Sequence, residues 1–250
     1  PGLLNTAVYN LNRQQARVRI FEAGQCFIRS DNQDEKSVLG LAQNTALAGL
    51  ICGTRTATGW TASKDKVDFY DIKGHLESLL AQTGQIAEFK FEAKQHSALH
   101  PGQSAAVIRN GVQVGWVGQL HPKIQAALDI NTAIYLFQVD IAGISQSKLP
   151  KFKEVSKFPE VRRDLAFFVD NSVQASALMD AAAAVAGKQL TYLKLFDVYH
   201  SKDVENKGKS IALGLTFQDS SRTLTDQEIS QAVDRVVTEL GNKFKAELRN

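Results

Sequence analysis

The apolar positions along the chain follow two periods, and each period predicts its own kind of element. Residues 18–28 and 45–52 are rich in β-branched, aromatic and other apolar side chains and predict strands, the first of them broken near Gly24. Over residues 69–82 the positions Phe69, Ile72, Leu76, Leu79 and Leu80 recur at helical spacing. Asp68 can cap the start of that helix, and Gly84 stands just past its end. Residues 105–109 and 112–118 read as strands joined by Asn110-Gly111, a dipeptide strongly favoured in two-residue hairpin turns. With one more strand at residues 134–140, this part of the chain is expected to form an antiparallel sheet with a few helices.

The remainder has a cleaner pattern. Residues 163–169 predict a strand, followed by a helix that Asn171 or Ser172 can cap and that Gly187 ends after Ala186. Strands at residues 190–199 and 209–218 follow, joined by the charged loop 200–208. Thr225-Asp-Gln-Glu228 has the spacing of a capping box, with Leu224 and Ile229 at the positions of a hydrophobic staple. Ile229, Val233, Val236, Val237 and Leu240 make one apolar stripe. Gly241 is expected to end this helix, and residues 244–248 can add a short strand. The order β-α-β-β-α-β is that of the split βαβ or ferredoxin-like motif, in which both helices cover one sheet face and leave the other open. The chain is thus of the α+β class. Proline and charged residues crowd the stretch 147–154, which places a linker at about residues 148–156 between modules of residues 1–147 and 157–250.

Strand side chains alternate faces, which predicts what the open face carries. If Ile211, Leu213, Leu215 and Phe217 point at the helices, then Ser210, Ala212, Gly214 and Thr216 form a low floor on the other side. The same alternation sends Leu165, Phe167 and Val169 inward and Asp164, Ala166 and Phe168 outward. On the neighbouring strand it sends Phe196 and Val198 inward and Asp197 and Tyr199 outward. Aromatic rings and a carboxylate beside Ser210 form a candidate platform for single-stranded bases, which stack on rings while polar groups read their edges. Lys194, Lys202, Lys207, Lys209 and Arg222 are the nearby candidates for phosphate contacts. The same spacing also fits a Tyr199 that only covers the sheet and lysines that only solvate a hairpin.

Composition adjusts this picture only slightly. A length of 250 residues supports two domains, and 44% hydrophobic with 22% charged residues is ordinary for a globular chain. No apolar run approaches the roughly 20 residues of a membrane-spanning helix. The formal charge of +3 is spread evenly between the two halves, so nucleic-acid binding is allowed but not demanded. Cys26 and Cys52 belong to no C-x-x-C pair and read as buried thiols in a reducing compartment. A chain that opens on Pro1 and has Met179 as its only methionine is expected to be part of a longer one. His75, His96, His100 and His121 show no metal-ligand spacing, and the two His-Pro dipeptides are expected to shape turns. Trp60 and Trp116 are expected in the core or at a subunit interface. Gly111, Gly115, Gly118 and the Gly208-Lys-Ser210 triplet lack the spacing of a phosphate loop.

Four blocks then stand in register: Lys157-Phe-Pro-Glu-Val-Arg-Arg-Asp-Leu165, Leu195-Phe-Asp-Val-Tyr199, Gly208-Lys-Ser-Ile-Ala-Leu213 and Arg222-Thr-Leu-Thr-Asp-Gln-Glu228. In order and spacing they resemble the ferredoxin-fold anticodon-binding domain that ends the β subunit of bacterial phenylalanyl-tRNA synthetases. Upstream, Arg17-Val-Arg-Ile-Phe-Glu-Ala-Gly24, Asp68-Phe-Tyr-Asp-Ile-Lys-Gly74, Leu99-His-Pro-Gly-Gln-Ser-Ala105 and Gly115-Trp-Val-Gly-Gln-Leu-His-Pro122 resemble the catalytic-like module preceding that domain, a class II synthetase-like antiparallel sheet with flanking helices. The resemblance implies contacts to the anticodon stem-loop of phenylalanine tRNA from Asp197, Tyr199 and Ser210, and geometry adds Phe168, Lys209 and Arg222. It also implies an α-subunit partner in a heterotetramer, a cytoplasmic location, and no role for membranes or DNA. ATP and Mg2+ would serve the whole enzyme, with no cofactor in this portion.

Class II sites pair an arginine with an acid two residues later and place a second arginine at the head of a glycine-rich helix. Here Arg19 and Glu22 are three apart and so face opposite sides of a strand, and no arginine follows Gly115-Trp-Val-Gly118. The module is therefore expected to be a non-catalytic scaffold. The competing readings are an independent adenylate-forming enzyme and a ferredoxin-like regulatory module that binds a small metabolite.

Overall fold

The computed structural model describes residues 1–29, 37–38, 41–61, 63–149, 152, 154–200 and 208–249. The chain divides into two units, Pro1–Lys151 and Phe152–Asn250.

In the first unit, α1 (Gly2–Leu11) leads into β1 (Val18–Arg29), β2 (Ser37–Val38) and β3 (Leu41–Cys52). After α2 (Phe69–Ala81) come β4 (Phe89–Ala93), β5 (Leu99–Arg109), β6 (Val112–Leu120), α3 (Pro122–Ala127), β7 (Ile134–Asp140) and α4 (Ile141–Ile144). The sheet runs β1-β3-β7-β6-β5-β4, with β2 paired to β3 and all pairings antiparallel. Asn110 and Gly111 both take positive φ, 49° and 81°, as the two-residue hairpin requires. Asp68 caps α2 through a capping box closed by Asp71 instead of the usual Glu or Gln. β1 does not break at Gly24, which pairs in register with Ala46.

The two faces of this sheet hold separate cores. Ile72, Leu76 and Leu80 of α2 pack over Ile51, Val107, Val117 and Val139. On the other side Ala7 of α1 packs with Leu50, Cys52, Leu120 and Ile134.

The second unit consists of β8 (Val161–Asp170), α5 (Ala175–Ala186), β9 (Leu190–His200), β10 (Gly208–Phe217), α6 (Asp226–Phe244) and β11 (Glu247–Arg249). Its antiparallel sheet has the order β11-β8-β10-β9, with the last strand beside the first and the third between the first and second. This is the ferredoxin-like arrangement. Phe167, Ile211, Leu213, Leu215 and Phe217 line one face and are buried under Leu178, Ala182, Val236 and Leu240 of the two helices. Burying each such aliphatic or aromatic side chain is worth about 1.5–3 kcal/mol, so this single face carries most of the unit's apolar stabilisation.

Two expected helix ends differ. Neither Asn171 nor Ser172 caps α5: Asp170 accepts from the Ser172 backbone N–H (2.8 Å) and hydroxyl (2.6 Å) in a turn, and the N-cap is Gln174 without a side-chain bond. Nor does α6 end at Gly241. It continues to Phe244, which packs against the core, and stops at Lys245, whose φ of 52° turns the chain away.

Candidate nucleic-acid interface

The strand pairings decide which side chains meet on the uncovered face. Ser210 of central strand β10 lies opposite Tyr199 of β9 and opposite Phe168 of β8, so these three residues form one row across three strands. In the next row Asp197, Ala212 and Ala166 align. The row is shaped by small residues: the Phe168 ring lies over Gly208, where an added Cβ would stand 2.3 Å from Cζ. Ser210 is nearly buried in the floor, Phe168 is half-buried, Asp197 is exposed, and Tyr199 keeps 55% of its surface. A base resting on Tyr199 would therefore have a hydroxyl and a carboxylate within the same two rows.

Lys209 and Arg222 are not brought to this face. Lys209 pairs with Val169, so it takes the helix-side parity, and its ammonium donates to the Asn171 carbonyl at 3.0 Å. Arg222 lies beyond the other end of β10, seven residues or ~23 Å of strand from Ser210 to Phe217. Its guanidinium donates to Glu228 (2.8 Å to Oε2), the carboxylate that also accepts from the Thr225 backbone N–H and hydroxyl. That bidentate partner raises the Arg222 pKa. Arg222, followed by the Thr225 N–H and hydroxyl, holds the Glu228 carboxyl far below the ordinary carboxylate range. Arg222 is thus part of the α6 cap. Lys194 is exposed opposite Gly214 on the open face, and Lys202 and Lys207 lie outside the described residues.

Alternation fails at two points of β9: between Thr216 and Phe217, where Thr191 is skipped, and at Phe196. The register shifts between Ala212 and Leu213, so that Leu195 and Leu193 face Leu213 and Leu215 on the core side while Phe196 has no partner. Phe196 is not inward: the Arg162 guanidinium, which belongs to the open face opposite Thr216, stands 5.5 Å from its ring centroid. Val198 keeps its inward parity opposite Ile211 but is only partly covered.

In the first unit Arg19 and Glu22 do lie on opposite faces. Arg19 is on the α2 side, with Nη1 2.7 Å from His75 Nε2 and Nη2 donating to the Arg55 carbonyl at 2.8 Å. Glu22 is on the other side, against Gly2 of α1. Burial, with Arg17 adding repulsion, lowers the Arg19 pKa. Arg55 is in turn gripped by Asp71 (2.9 Å) and Asp68 (3.1 Å). Burial pushes the Asp71 carboxyl up, but the Asp68 N–H and Arg55 outweigh it and the net pKa is lowered. At Gly115 and Gly118 an added Cβ would strike Val139, the Gln138 carbonyl and the Gln103 carbonyl, so both glycines serve close strand packing. These residues do not fit a triphosphate grip. The Arg19–His75–Arg55–Asp71 network has one sequence signal, the Asp68-x-x-Asp71 cap.

His121, His100 and His96, unlike His75, act locally. His121 caps α3 by accepting from the Lys123 N–H, His100 accepts from Gly102, and His96 accepts from Ala98 while its ring meets Trp116 at 4.7 Å. No cluster with metal-holding composition occurs among the described residues. Trp60 is almost wholly exposed rather than in the core, and of the two cysteines Cys52 is buried and Cys26 only half-buried. No described helix is long and apolar enough to cross a membrane.

Residues 156–249 match the ferredoxin-fold anticodon binding domain, and residues 1–141 match the phenylalanyl tRNA synthetase beta chain CLM domain. The chain belongs to the phenylalanyl-tRNA synthetase beta-chain family. It is 44% identical over 249 residues to the phenylalanine–tRNA ligase beta subunit of Pseudomonas savastanoi pv. phaseolicola, covering 100% of this chain and 31% of that protein. The beta subunit of Hahella chejuensis is 45% identical over 249 residues, covering 100% and 30%. That of Pseudoalteromonas translucida is 43% identical over 250 residues, covering 100% and 31%. The chain thus spans under a third of the length of these curated relatives.

Proposed function

We propose that this chain is a tRNA-binding, non-catalytic portion of a phenylalanine–tRNA ligase β subunit, and that the open sheet of its second unit holds the anticodon stem-loop of phenylalanine tRNA. The observation that carries this is the row Tyr199–Ser210–Phe168 beside Asp197: two rings, a hydroxyl and a carboxylate on the sheet face opposite the one that α5 and α6 cover. Stacking on such rings is worth about 1–3 kcal/mol per base, enough to hold an unpaired loop without a strongly basic surface.

Phenylalanine activation, with its ATP and Mg2+, belongs in this reading to an α subunit in the cytoplasmic enzyme, which the first unit docks in a heterotetrameric assembly. The docking is supported by edge strand β1, where Phe21, Phe27 and Ile28 are all exposed.

The test uses the assembled ligase with Asp197 and Tyr199 both replaced by alanine. The KM for tRNA should rise, while phenylalanine-dependent pyrophosphate exchange, which needs no tRNA, stays at the wild-type rate. An unchanged KM for tRNA would sink the reading. Pyrophosphate exchange by this chain alone would favour an independent adenylate-forming enzyme.

A further inference from the structure

The open face carries a second constellation outside the row just described, and it exists because of the β9 bulge. Phe196, left without a cross-strand partner, turns its ring to the uncovered side with 44% of its surface exposed. Arg162 lies over that ring, 5.5 Å from the centroid, and is held there by Asp164 through a 2.7 Å bond from Nε to Oδ1. Both side chains cross Gly214, where a Cβ would come within 3.2 Å of Arg162 Nη2 and 3.1 Å of Asp164 Oδ1. From β9, Lys194 stands opposite Gly214 and Tyr192 opposite Thr216, and both are exposed.

We propose that Phe196, Tyr192, Arg162 and Lys194 form a second nucleotide-binding platform for the same RNA, with the rings stacking unpaired bases and the two cations meeting phosphates. It rests on the reading of the open sheet as an RNA face and extends that face along β10 from Ser210 towards Thr216. A bulge costs ladder hydrogen bonds, and such features recur where a side chain must be re-aimed. Packing does not require this one, because Leu195 already fills the core-side position opposite Leu213. Among the described residues of these two rows, Arg162 and Lys194 stand with the Asp164 carboxylate, which is committed to Arg162, while Asp197 lies one row nearer Ser210, so the charge of the platform itself suits a phosphate backbone. Gly214 and Thr216 are four and six residues from Ser210, or ~13–20 Å along the strand, which is about four to six stacked nucleotides at 3.4 Å each.

The experiment measures the Kd of phenylalanine tRNA for the assembled ligase over a salt series, comparing wild type with Phe196→Leu, Phe196→Tyr, Arg162→Gln and Tyr199→Ala. Phe196→Leu keeps an apolar cover but removes the ring, and should weaken binding about 5-fold or more, whereas Phe196→Tyr should bind as wild type does. Arg162→Gln should reduce the slope of log K against log salt by about 0.7–0.9. Wild-type Kd and slope in Phe196→Leu and Arg162→Gln, with Tyr199→Ala weakened, would overturn the second platform and leave the RNA face standing. If Tyr199→Ala also bound like wild type, the RNA face itself would fall and the platform with it.

Discussion

Replacing Gly208 by alanine tests the packing that sets the row proposed to face RNA. An alanine Cβ there would stand 2.3 Å from Phe168 Cζ, 2.6 Å from Cε1 and 2.8 Å from the Val169 carbonyl oxygen. Comfortable carbon contacts are about 3.5–4.0 Å, so the ring must move by more than 1 Å, and the carbonyl, being backbone, cannot rotate away. Overpacking of this kind costs about 1–3 kcal/mol. All three contacts are under 3.0 Å and one is to backbone, so the cost falls in the upper part of that range, about 2–3 kcal/mol; alanine returns up to about 1 kcal/mol by restricting the unfolded chain, which leaves a net loss of roughly 1–2 kcal/mol. In a unit of this size each kcal/mol moves Tm by about 4–8 °C, so Gly208→Ala should lower the second unit's calorimetric transition by roughly 4–16 °C. With Phe168 displaced from beside Ser210, tRNA affinity should fall as well. A Tm that is unchanged or raised would refute the placement of the Phe168 ring over Gly208.

The opposite sign is expected at Gly74, which lies inside α2 with nothing within 4 Å of an added Cβ: Gly74→Ala should stabilise the first unit by about 1 kcal/mol, read as a higher Tm. Thr225→Ala removes the hydroxyl of the α6 capping box and should cost about 1 kcal/mol in denaturant unfolding. Glu228 has a pKa lowered by folding, so its contribution is fully present above the ordinary carboxylate range and is lost as pH falls through that range towards the depressed folded value. Stability measured between pH 7 and pH 3 should therefore fall less steeply in Glu228→Gln than in wild type, and equal slopes would contradict the Arg222–Glu228–Thr225 assignment.

Much of the second unit could be read from the sequence because its signals are local and agree with one another. The Thr225–Glu228 capping box, the Ile229 to Leu240 stripe and the alternation of β10 all point to one sheet face, and the open-face positions of Phe168, Ser210, Asp197 and Tyr199 follow from period two alone. The reading of Phe196 failed because two apolar phases meet in β9. Leu193 and Leu195 set one parity and Val198 the other, so one residue between them must be a bulge; the adjacent pair Leu195-Phe196 is the mark of it. For Lys209 and Arg222, nearness to the open face in the sequence pattern does not show which acceptors compete for their cations. A nearby carbonyl and a cap carboxylate take both. In the first unit α1 and β4 have plain signals, helical spacing of Leu3, Leu4, Ala7, Val8 and Leu11 and alternation of Phe89 and Phe91, yet only the packing of Ala7 and Phe89 into separate cores gives them their place. The Arg19 network could not be read, since His75 and Arg55 reach it from distant segments.

The most direct test of an anticodon-reading sheet is a double-mutant cycle between protein and RNA. The Kd of the assembled ligase, wild type or Asp197→Ala/Tyr199→Ala, is measured for phenylalanine tRNA with its natural anticodon and with substituted anticodon bases. If these side chains contact those bases, the anticodon change should weaken the wild type strongly and the variant little, giving a coupling of about 0.5–3 kcal/mol. Additive losses, with the anticodon change costing both proteins equally, would contradict it.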